Sequence, residues 1–283
     1  MTDPRGPAAA GKRASDSADW APPGQRRFGR VNWLGLWTLT AREIWRFAKV
    51  WGQTLLAPVV TAGLFMAVFH FALADRRGDV MGVPFIAFLA PGVLMMTVLQ
   101  NAFANTSSSL LISKVQGNIV DTLMPPLSPV ELLTGYLAGG VARGVVVSLA
   151  VGVPTFLALG IAPAHPLWAL VFIALAAKMM ALAGIVTGVL CTKFDQMAAI
   201  TNFAVTPLAF LSGTFYSVAD LPDWLWAVSH ANPVFHVIDG FRFGVLGVSD
   251  GSPWLALAVA GAATAALWWA ALRLIASGRG LKS

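Results

Sequence analysis

The polar side chains that interrupt long apolar runs are the residues best placed to do chemistry in this sequence. Asn101, Asn105 and Ser109 recur at intervals of four residues, which places them on one face of a helix. Amides in hydrocarbon need hydrogen-bond partners, so this face is expected to point toward other helices or toward a water-filled pathway. The sequence leaves both roles open, namely packing between helices and lining of a pathway.

Two basic residues lie in similarly apolar surroundings. Lys178 falls near the middle of an apolar run, where insertion of a charge costs about 2.5–3.5 kcal/mol. It is therefore expected to face the bundle interior, to pair with a polar group or to lose its proton. Arg143 is expected to extend its long side chain to the cytoplasmic interface. It lies beside a ridge of small residues that permits close helix contact, formed by Gly140, Gly144, Ser148 and Gly152.

Motifs of catalysis and metal binding are missing from the sequence. There is neither a G-x-x-x-x-G-K-[ST] phosphate loop nor an H-E-x-x-H zinc motif. Cys191 is the single cysteine, so no cysteine pair is available for a metal or a disulfide. Ser212 lacks the G-x-S-x-G setting of a hydrolase nucleophile. We therefore predict no catalytic residue, no metal and no cofactor in this chain.

The elements that must position these residues are membrane helices. The chain is 57% hydrophobic and 11% charged, whereas a soluble domain carries about 25% charged residues. Its apolar runs are about 20 residues long, the length that crosses a hydrocarbon core. The prediction is an all-α integral membrane protein with six spans, at about residues 54–73, 85–112, 136–160, 167–191, 197–212 and 254–276.

The segment before the first span divides into two parts. Residues 1–32 are predicted to be a disordered cytoplasmic tail, because they are poor in large apolar residues. Residues 33–52 are predicted to form an amphipathic helix in the headgroup plane, since tryptophans and basic residues fall on opposite faces. The residues assigned to this interfacial helix are Trp37, Arg42, Glu43, Trp45, Arg46 and Lys49. Residues 53–283 form the predicted transmembrane domain.

The distribution of basic residues predicts the orientation of the chain. Nine of the nineteen Lys and Arg residues precede Gln53, and three more follow Ala271. Basic residues mark the cytoplasmic side, so both termini are expected there. The formal charge of +6 is thereby explained by orientation in a membrane, without nucleic acid as a partner.

Two connecting segments stand out between the predicted spans. Residues 210–243 are too polar, and too broken by Pro222 and Pro233, to cross a bilayer as one helix, yet they are too apolar for a solvated loop. We call them the cap and predict a half-buried external segment with short re-entrant helices. Residues 113–131 form the longest polar break on the cytoplasmic side, where a helical turn is expected before Pro125.

The order of these parts over about residues 33–283 resembles a type-2 ABC exporter permease. The cap carries four motifs that are similar to the succession S-G-x-F-Y, L-P-x-W, N-P and D-x-x-R of that family. They are Ser212-Gly213-Thr214-Phe215-Tyr216, Leu221-Pro222-Asp223-Trp224, Asn232-Pro233 and Gly240-Phe241-Arg242.

This resemblance implies a membrane subunit of an ATP-driven exporter in a bacterial inner membrane. Such permeases form dimers and bind two copies of a separate ATPase, which holds the ATP and Mg²⁺, and they export amphipathic drugs, lipids or glycans. Residues 113–126 would then be the coupling segment that docks on the ATPase. Its expected contact residues are Lys114, Gln116, Gly117, Asn118, Ile119 and Asp121.

Two other functions remain compatible with the residues. A proton-coupled secondary transporter could use Lys178 or Arg143, although such carriers commonly have more spans and interrupted helices. A membrane scaffold without transport activity would show neither substrate flux nor ATPase stimulation.

Overall fold

The computed structural model describes residues 31–73 and 78–281 of the chain. The predicted disordered tail lies outside these residues except for its last two positions, as do Arg76, Arg77 and Lys282. The described residues form eleven α-helices, and the predicted all-α fold is confirmed. They are α1 Trp33–Ala48, α2 Ala57–Leu73, α3 Phe85–Val115, α4 Ile119–Leu123, α5 Pro129–Leu159, α6 Pro166–Leu190, α7 Phe194–Ile200, α8 Thr206–Phe210, α9 Asp223–Ala231, α10 Pro233–Leu246 and α11 Pro253–Ser277.

Five helical runs in the described residues are long and apolar enough to cross a membrane. They are Gly52–Ala72, which includes most of α2, together with α3, α5, α6 and α11. The predicted span at 197–212 corresponds to α7, a π-helical turn and α8, which follow one another along the chain. Each of these three elements is short, so the count of six spans stays a prediction.

Both π-helical turns in the described part of the chain lie just before a proline. They are formed by Gly52–Leu56 ahead of Pro58 and by Thr201–Val205 ahead of Pro207. Proline has no N–H group and its ring crowds the preceding turn, so one bond of the regular hydrogen-bond ladder is lost at each proline. The wider turn accommodates this interruption. The kink predicted at Thr206-Pro207 thus corresponds to a π-turn.

The central helix of the bundle is α3, which is buried along most of its length and packs against α5, α6 and α10. Contact between α3 and α6 includes a hydrogen bond of 2.7 Å from the Thr106 hydroxyl to the Ala181 carbonyl. The small-residue ridge of α5 lies against α6, where Gly144 faces Ala177. Small side chains therefore let three long helices approach closely.

The amphipathic helix α1 runs parallel to the first half of α5. Leu39 lies on Gly135, and one turn later Glu43 lies on Gly139. The Ser128 and Asn32 backbone N–H groups both donate to the Glu131 carboxylate, at 2.7 and 2.6 Å, which ties the two helix starts together. The tryptophans of α1 and the turn after it face outward, with exposed fractions of 71, 68, 66 and 61% for Trp33, Trp37, Trp45 and Trp51.

The cap contains a short 3₁₀ turn, α9 and most of α10. Helices α9 and α10 follow Pro222 and Asn232, the positions where the sequence predicts breaks. Trp224 and Trp226 of α9 are exposed, whereas α10 is buried among α3, α6 and α11. The second half of the cap is therefore part of the bundle core and not a surface element.

Candidate functional site at the α1, α3 and α5 junction

The centre of the candidate site is a buried carboxylate on α1. Glu43 is fully buried and accepts hydrogen bonds from Arg42 at 3.1 Å, from Arg46 at 3.2 Å and from the Ser109 hydroxyl of α3 at 2.9 Å. A buried charge is tolerated only when it is paired and hydrogen-bonded, and these donors satisfy that requirement. Glu43 therefore joins α1 to α3.

Arg46 extends the same network along α3. Its Nη2 donates to the backbone oxygen of Asn105 at 2.6 Å and to the Oδ1 atom of Asn105 at 2.9 Å. Asn105 and Ser109, which the sequence places on one helix face, thus meet α1. Arg42 and Arg46, on the basic side of α1, bond to protein groups, whereas Lys49 is exposed.

Arg143 bonds to the neighbouring helix α3, and its predicted extension to the cytoplasmic interface stays a prediction. Its Nη2 donates to the Oδ1 atom of Asn101 on α3 at 2.9 Å, because this amide lies directly across the α3–α5 contact. The Asn101 amide nitrogen donates in turn to the Thr97 carbonyl at 3.0 Å. Four of the predicted pathway residues therefore lie at this junction: Asn101, Asn105, Ser109 and Arg143.

Lys178, the remaining pathway candidate, lies apart from this junction. It is exposed on α6, and within the described residues no hydrogen bond or ion pair involves it. Ala177 takes the position against α5, so Lys178, about 100° further around the helix, points away from the bundle. The expectation that Lys178 faces the interior of this chain is wrong.

The coupling segment is linked to the junction through Arg42. The Arg42 Nη1 donates to the Thr122 hydroxyl of α4 at 2.8 Å, and its Nη2 donates to the Tyr136 hydroxyl of α5 at 3.2 Å. Burial lowers the pKa of Arg42, but the attraction of Tyr136 and Glu43 outweighs it, so this pKa is raised above its ordinary value. One permanently charged side chain therefore connects α1, α4 and α5.

The surface of the coupling segment is mixed in character. Val120, Leu123 and Met124 are exposed apolar residues, and Asp121 is exposed beside them. Ile119 is buried, and Gly117 adopts a φ of 76° that favours glycine. A groove of about 400 Å³ separates the segment from α1. The predicted contact residues Gln116 and Asn118 are exposed, whereas Lys114 turns inward and donates to the Val189 carbonyl at 2.7 Å.

A polar stripe on α3 is left uncovered by this chain. It consists of polar side chains that are partly exposed along one side of the helix, with the exposed Ala104 between them: Thr97, Gln100, Asn101 and Ser108. Within the described residues, Gln100 makes no hydrogen bond. Exposed amides on an apolar helix need cover by water or by another chain, because hydrocarbon provides neither donors nor acceptors.

A second buried charge cluster holds the cap. Arg242 is fully buried and donates to the Gly213 carbonyl at 2.5 Å, with carboxylate oxygens of Asp250 and Asp239 at 3.5 and 3.8 Å. Its guanidinium lies 4.0 Å from the centre of the Phe88 ring. Burial lowers the pKa of Arg242, against the opposing attraction of both carboxylates.

The other predicted cap residues support the same arrangement. Asn232 donates to the Leu208 carbonyl at 2.9 Å and to the Ser212 hydroxyl at 2.8 Å. Phe215 stacks on Phe69 of α2, with ring centres 5.5 Å apart. The remaining residues fall at turns, helix starts or the surface: Tyr216, Leu221, Pro222, Trp224 and Pro233.

Several residues of these clusters were not predicted from the sequence. Thr122, Tyr136, Asp239 and Asp250 make direct contacts to arginines, yet none of them interrupts an apolar run in a conspicuous way. The spacing of Asp239 and Arg242, three residues apart on one helix, was a usable signal for an ion pair.

Comparisons with known proteins agree with this architecture. A family model described as ABC-2 type transporter matches residues 35–246. Over 255 residues the chain is 37% identical to inner membrane transport permease YadH of Escherichia coli (strain K12), an alignment covering 89% of this chain and 98% of that protein. Nodulation protein J of Rhizobium leguminosarum bv. viciae is 26% identical over 229 residues, covering 77% of this chain and 84% of that protein.

The matched region begins within α1 and ends at the last residue of α10, so it contains the polar junction, the coupling segment and the whole cap. The family that the cap motifs predict is thus found by an independent comparison over most of the chain. Together with the apolar helices, these matches show that the chain belongs to the ABC-2 type transporter family, as a multi-pass membrane subunit of an ABC transporter.

Proposed function

We propose that this chain is the permease of an ATP-driven exporter in a bacterial inner membrane, which moves an amphipathic drug, lipid or glycan-type substrate. A separate ATPase supplies the energy, since the sequence has no phosphate-binding loop of its own. The inner-membrane location is supported by the name of the permease that is 37% identical to this chain.

The observation that carries this proposal is the set of Arg42 contacts. The Thr122 hydroxyl lies in the coupling segment, and the Tyr136 hydroxyl lies on α5. A displacement of α4 by a docked ATPase therefore acts on α1 and α5 through a charged hydrogen bond, the stronger kind in proteins. The groove beside α1 and the exposed apolar residues of the segment offer a surface for that docking.

Contacts near the first and last described residues support one orientation for both termini. The start of α1 is bonded to the start of α5, next to the coupling segment. At the other end of the chain, Gly280 lies on the Val189 carbonyl, which also accepts from Lys114. A cytoplasmic coupling segment therefore implies that both termini are cytoplasmic, as the basic residues predict.

The uncovered polar stripe on α3 supports a homodimer that works with two ATPase copies. Two chains that place this stripe toward a shared axis would enclose its amides in a water-filled pathway. The tryptophan face of α1 would remain directed toward lipid headgroups, where tryptophan is enriched.

Reconstitution tests the proposal. The purified chain in liposomes is expected to hydrolyse no ATP alone and to stimulate an ABC ATPase encoded beside its gene. Hydrolysis by the chain alone would contradict the assignment. Substrate movement that stops with a protonophore but continues without ATP would favour the proton-coupled alternative.

A further inference from the structure

The junction of α1, α3 and α5 contains more positive than negative charge. Arg42, Arg46 and Arg143 contribute three guanidinium groups. Among the described residues, the carboxylate of Glu43 is the one acidic group that bonds to any of them, and it serves Arg42 and Arg46. Three guanidinium groups and one carboxylate leave a net charge of +2, and Arg143 is the arginine of this junction without a carboxylate partner.

The excess charge is concentrated at Arg143. This guanidinium bonds only to the neutral amide of Asn101, and it is repelled by the like charge of Arg46. Asn101 and Asn105 are one turn apart on α3, so Arg143 and Arg46 are held on successive turns of the same face. Charges in apolar surroundings are costly unless they are paired, and nothing in the described residues pairs Arg143.

Two hydrogen-bond donors at this junction are also unused. The Nε of Arg143 and the Nδ2 of Asn105 are buried and have no acceptor within the described residues. Buried donors without a partner are rare in native proteins and point to an unrecorded ligand or water. Here the two donors belong to neighbouring turns of the same charged cluster.

One side of the cluster reaches the outside of this chain. Ala104, which lies between Asn101 and Asn105 on α3, is exposed, and the Arg46 side chain is 31% exposed. The junction borders the polar stripe of α3. A ligand moving along the stripe would therefore meet the unpaired guanidinium.

We infer that this junction binds the phosphate group of an anionic amphiphile, with Arg143 and Arg46 as its charged donors and Asn105 as a neutral one. Guanidinium groups match the geometry of phosphate oxygens with two parallel N–H donors, and they keep their charge in apolar surroundings. A phosphate diester would supply the missing negative charge. The inference rests on the proposed export function and gives its substrate class as phosphate-bearing amphiphiles.

Lipid binding to the purified full chain in detergent tests the inference. Native mass spectrometry would compare phosphatidylglycerol, phosphatidylcholine and inorganic phosphate as probes. We expect tighter binding of phosphatidylglycerol than of phosphatidylcholine, and a loss of about tenfold in Arg143→Gln, the scale of one charged hydrogen bond. Competition by inorganic phosphate at millimolar concentration would identify a soluble anion as the source of the group, and its absence would identify the lipid.

Two further variants make the result decisive. Lys178→Gln removes one positive charge from an exposed site on α6 and should bind phosphatidylglycerol like the unmodified chain. Arg143→Lys keeps the charge but lacks the two parallel N–H donors of a guanidinium group. Its loss of phosphatidylglycerol binding should therefore be intermediate. Arg143→Lys also replaces Arg143→Gln as the test variant if Arg143→Gln fails to elute as a folded species in size-exclusion chromatography. Equal affinity for both lipids, or unchanged binding in the folded Arg143 variants, would overturn the inference.

Failure of this inference is separable from failure of the proposed function. ATPase stimulation is measured on the same preparations of the unmodified chain. Absence of stimulation would contradict the exporter assignment whatever the lipid result. Stimulation together with equal lipid affinities would leave the exporter in place and remove only the phosphate site.

Discussion

Arg42 and Thr122, which are 80 residues apart in sequence, are joined by a hydrogen bond of 2.8 Å between Nη1 and the threonine hydroxyl. This bond is the direct side-chain contact from α1 to the helix of the coupling segment. Its removal should separate docking of the ATPase from the transmission of movement to α5.

The first prediction concerns that bond. Thr122→Val keeps the shape of the side chain and removes its hydroxyl, which should lower the stimulation of the ATPase several-fold because a hydrogen bond to a charged group contributes about 1.5–3 kcal/mol. Co-purification with the ATPase should persist. The measurement is ATP turnover in liposomes.

The matched control is Thr134→Val on α5. The Thr134 hydroxyl is exposed and bonds only within its own helix, to the Val130 carbonyl. The Thr134→Val variant should stimulate the ATPase as the unmodified chain does. Equal stimulation by the Thr122 variant would show that the Arg42 contact transmits nothing.

The second prediction concerns the buried carboxylate of α1. Glu43→Leu removes the acceptor that Arg42, Arg46 and Ser109 share, so the free energy of unfolding should fall by about 2 kcal/mol. Thermal unfolding in detergent measures this as a lower Tm. Asp195→Asn alters an exposed carboxylate on α7 and should leave the Tm in place. An unchanged Tm in the Glu43 variant would mean that the network adds no stability.

The third prediction concerns the cap. Arg242→Leu leaves the buried carboxylates of Asp239 and Asp250 without their cation, and breaking a buried pair costs about 3–5 kcal/mol. The cap should then become susceptible to limited proteolysis in residues 212–232. Arg279→Leu, at an exposed position after α11, should keep the protection of the unmodified chain. Equal resistance of the cap to proteolysis in both variants would show that Arg242 does not hold the cap in place.

The fourth prediction compares two glycines in apolar helices. A side chain at Gly92 would meet the Thr214 carbonyl at 2.5 Å, so Gly92→Ala should press α3 away from the cap and cost about 1–3 kcal/mol. Nothing lies within 4 Å of the corresponding position at Gly63 of α2, where alanine should be neutral or slightly stabilising. Thermal unfolding of both variants distinguishes them, and equal Tm values would contradict a close contact at Gly92.

Much of the fold was predictable because hydrophobic length and proline positions are local signals. The apolar runs correspond to α3, α5, α6 and α11, and Pro222 and Asn232 mark the cap breaks as expected. The start of α5 at Pro129 was also readable, because Ser128 and Glu131 form a capping box in both sequence and structure. Local chemistry decides where these helices begin.

The polar junction was predictable only in part. The spacing of Asn101, Asn105 and Ser109 indicated a shared face, and that face does meet a charged cluster. The partner could not be read from the sequence, because Glu43 and Arg46 on an amphipathic helix have the pattern of a solvated surface. Burial of that surface against α5 depends on Gly135 and Gly139, whose partners are about 96 residues away in the chain.

The two π-turns have a mechanical consequence. A proline after each turn already lacks a donor for the ladder, so bending at Pro58 or Pro207 breaks fewer hydrogen bonds than bending elsewhere in the same helix. Each turn is therefore the point in its helical run where bending costs the fewest hydrogen bonds. The segments beyond the two turns carry Phe69 and Phe210, which both stack on Phe215, so a bend at one turn would reach the other through the first half of the cap while α10 stays in the bundle core.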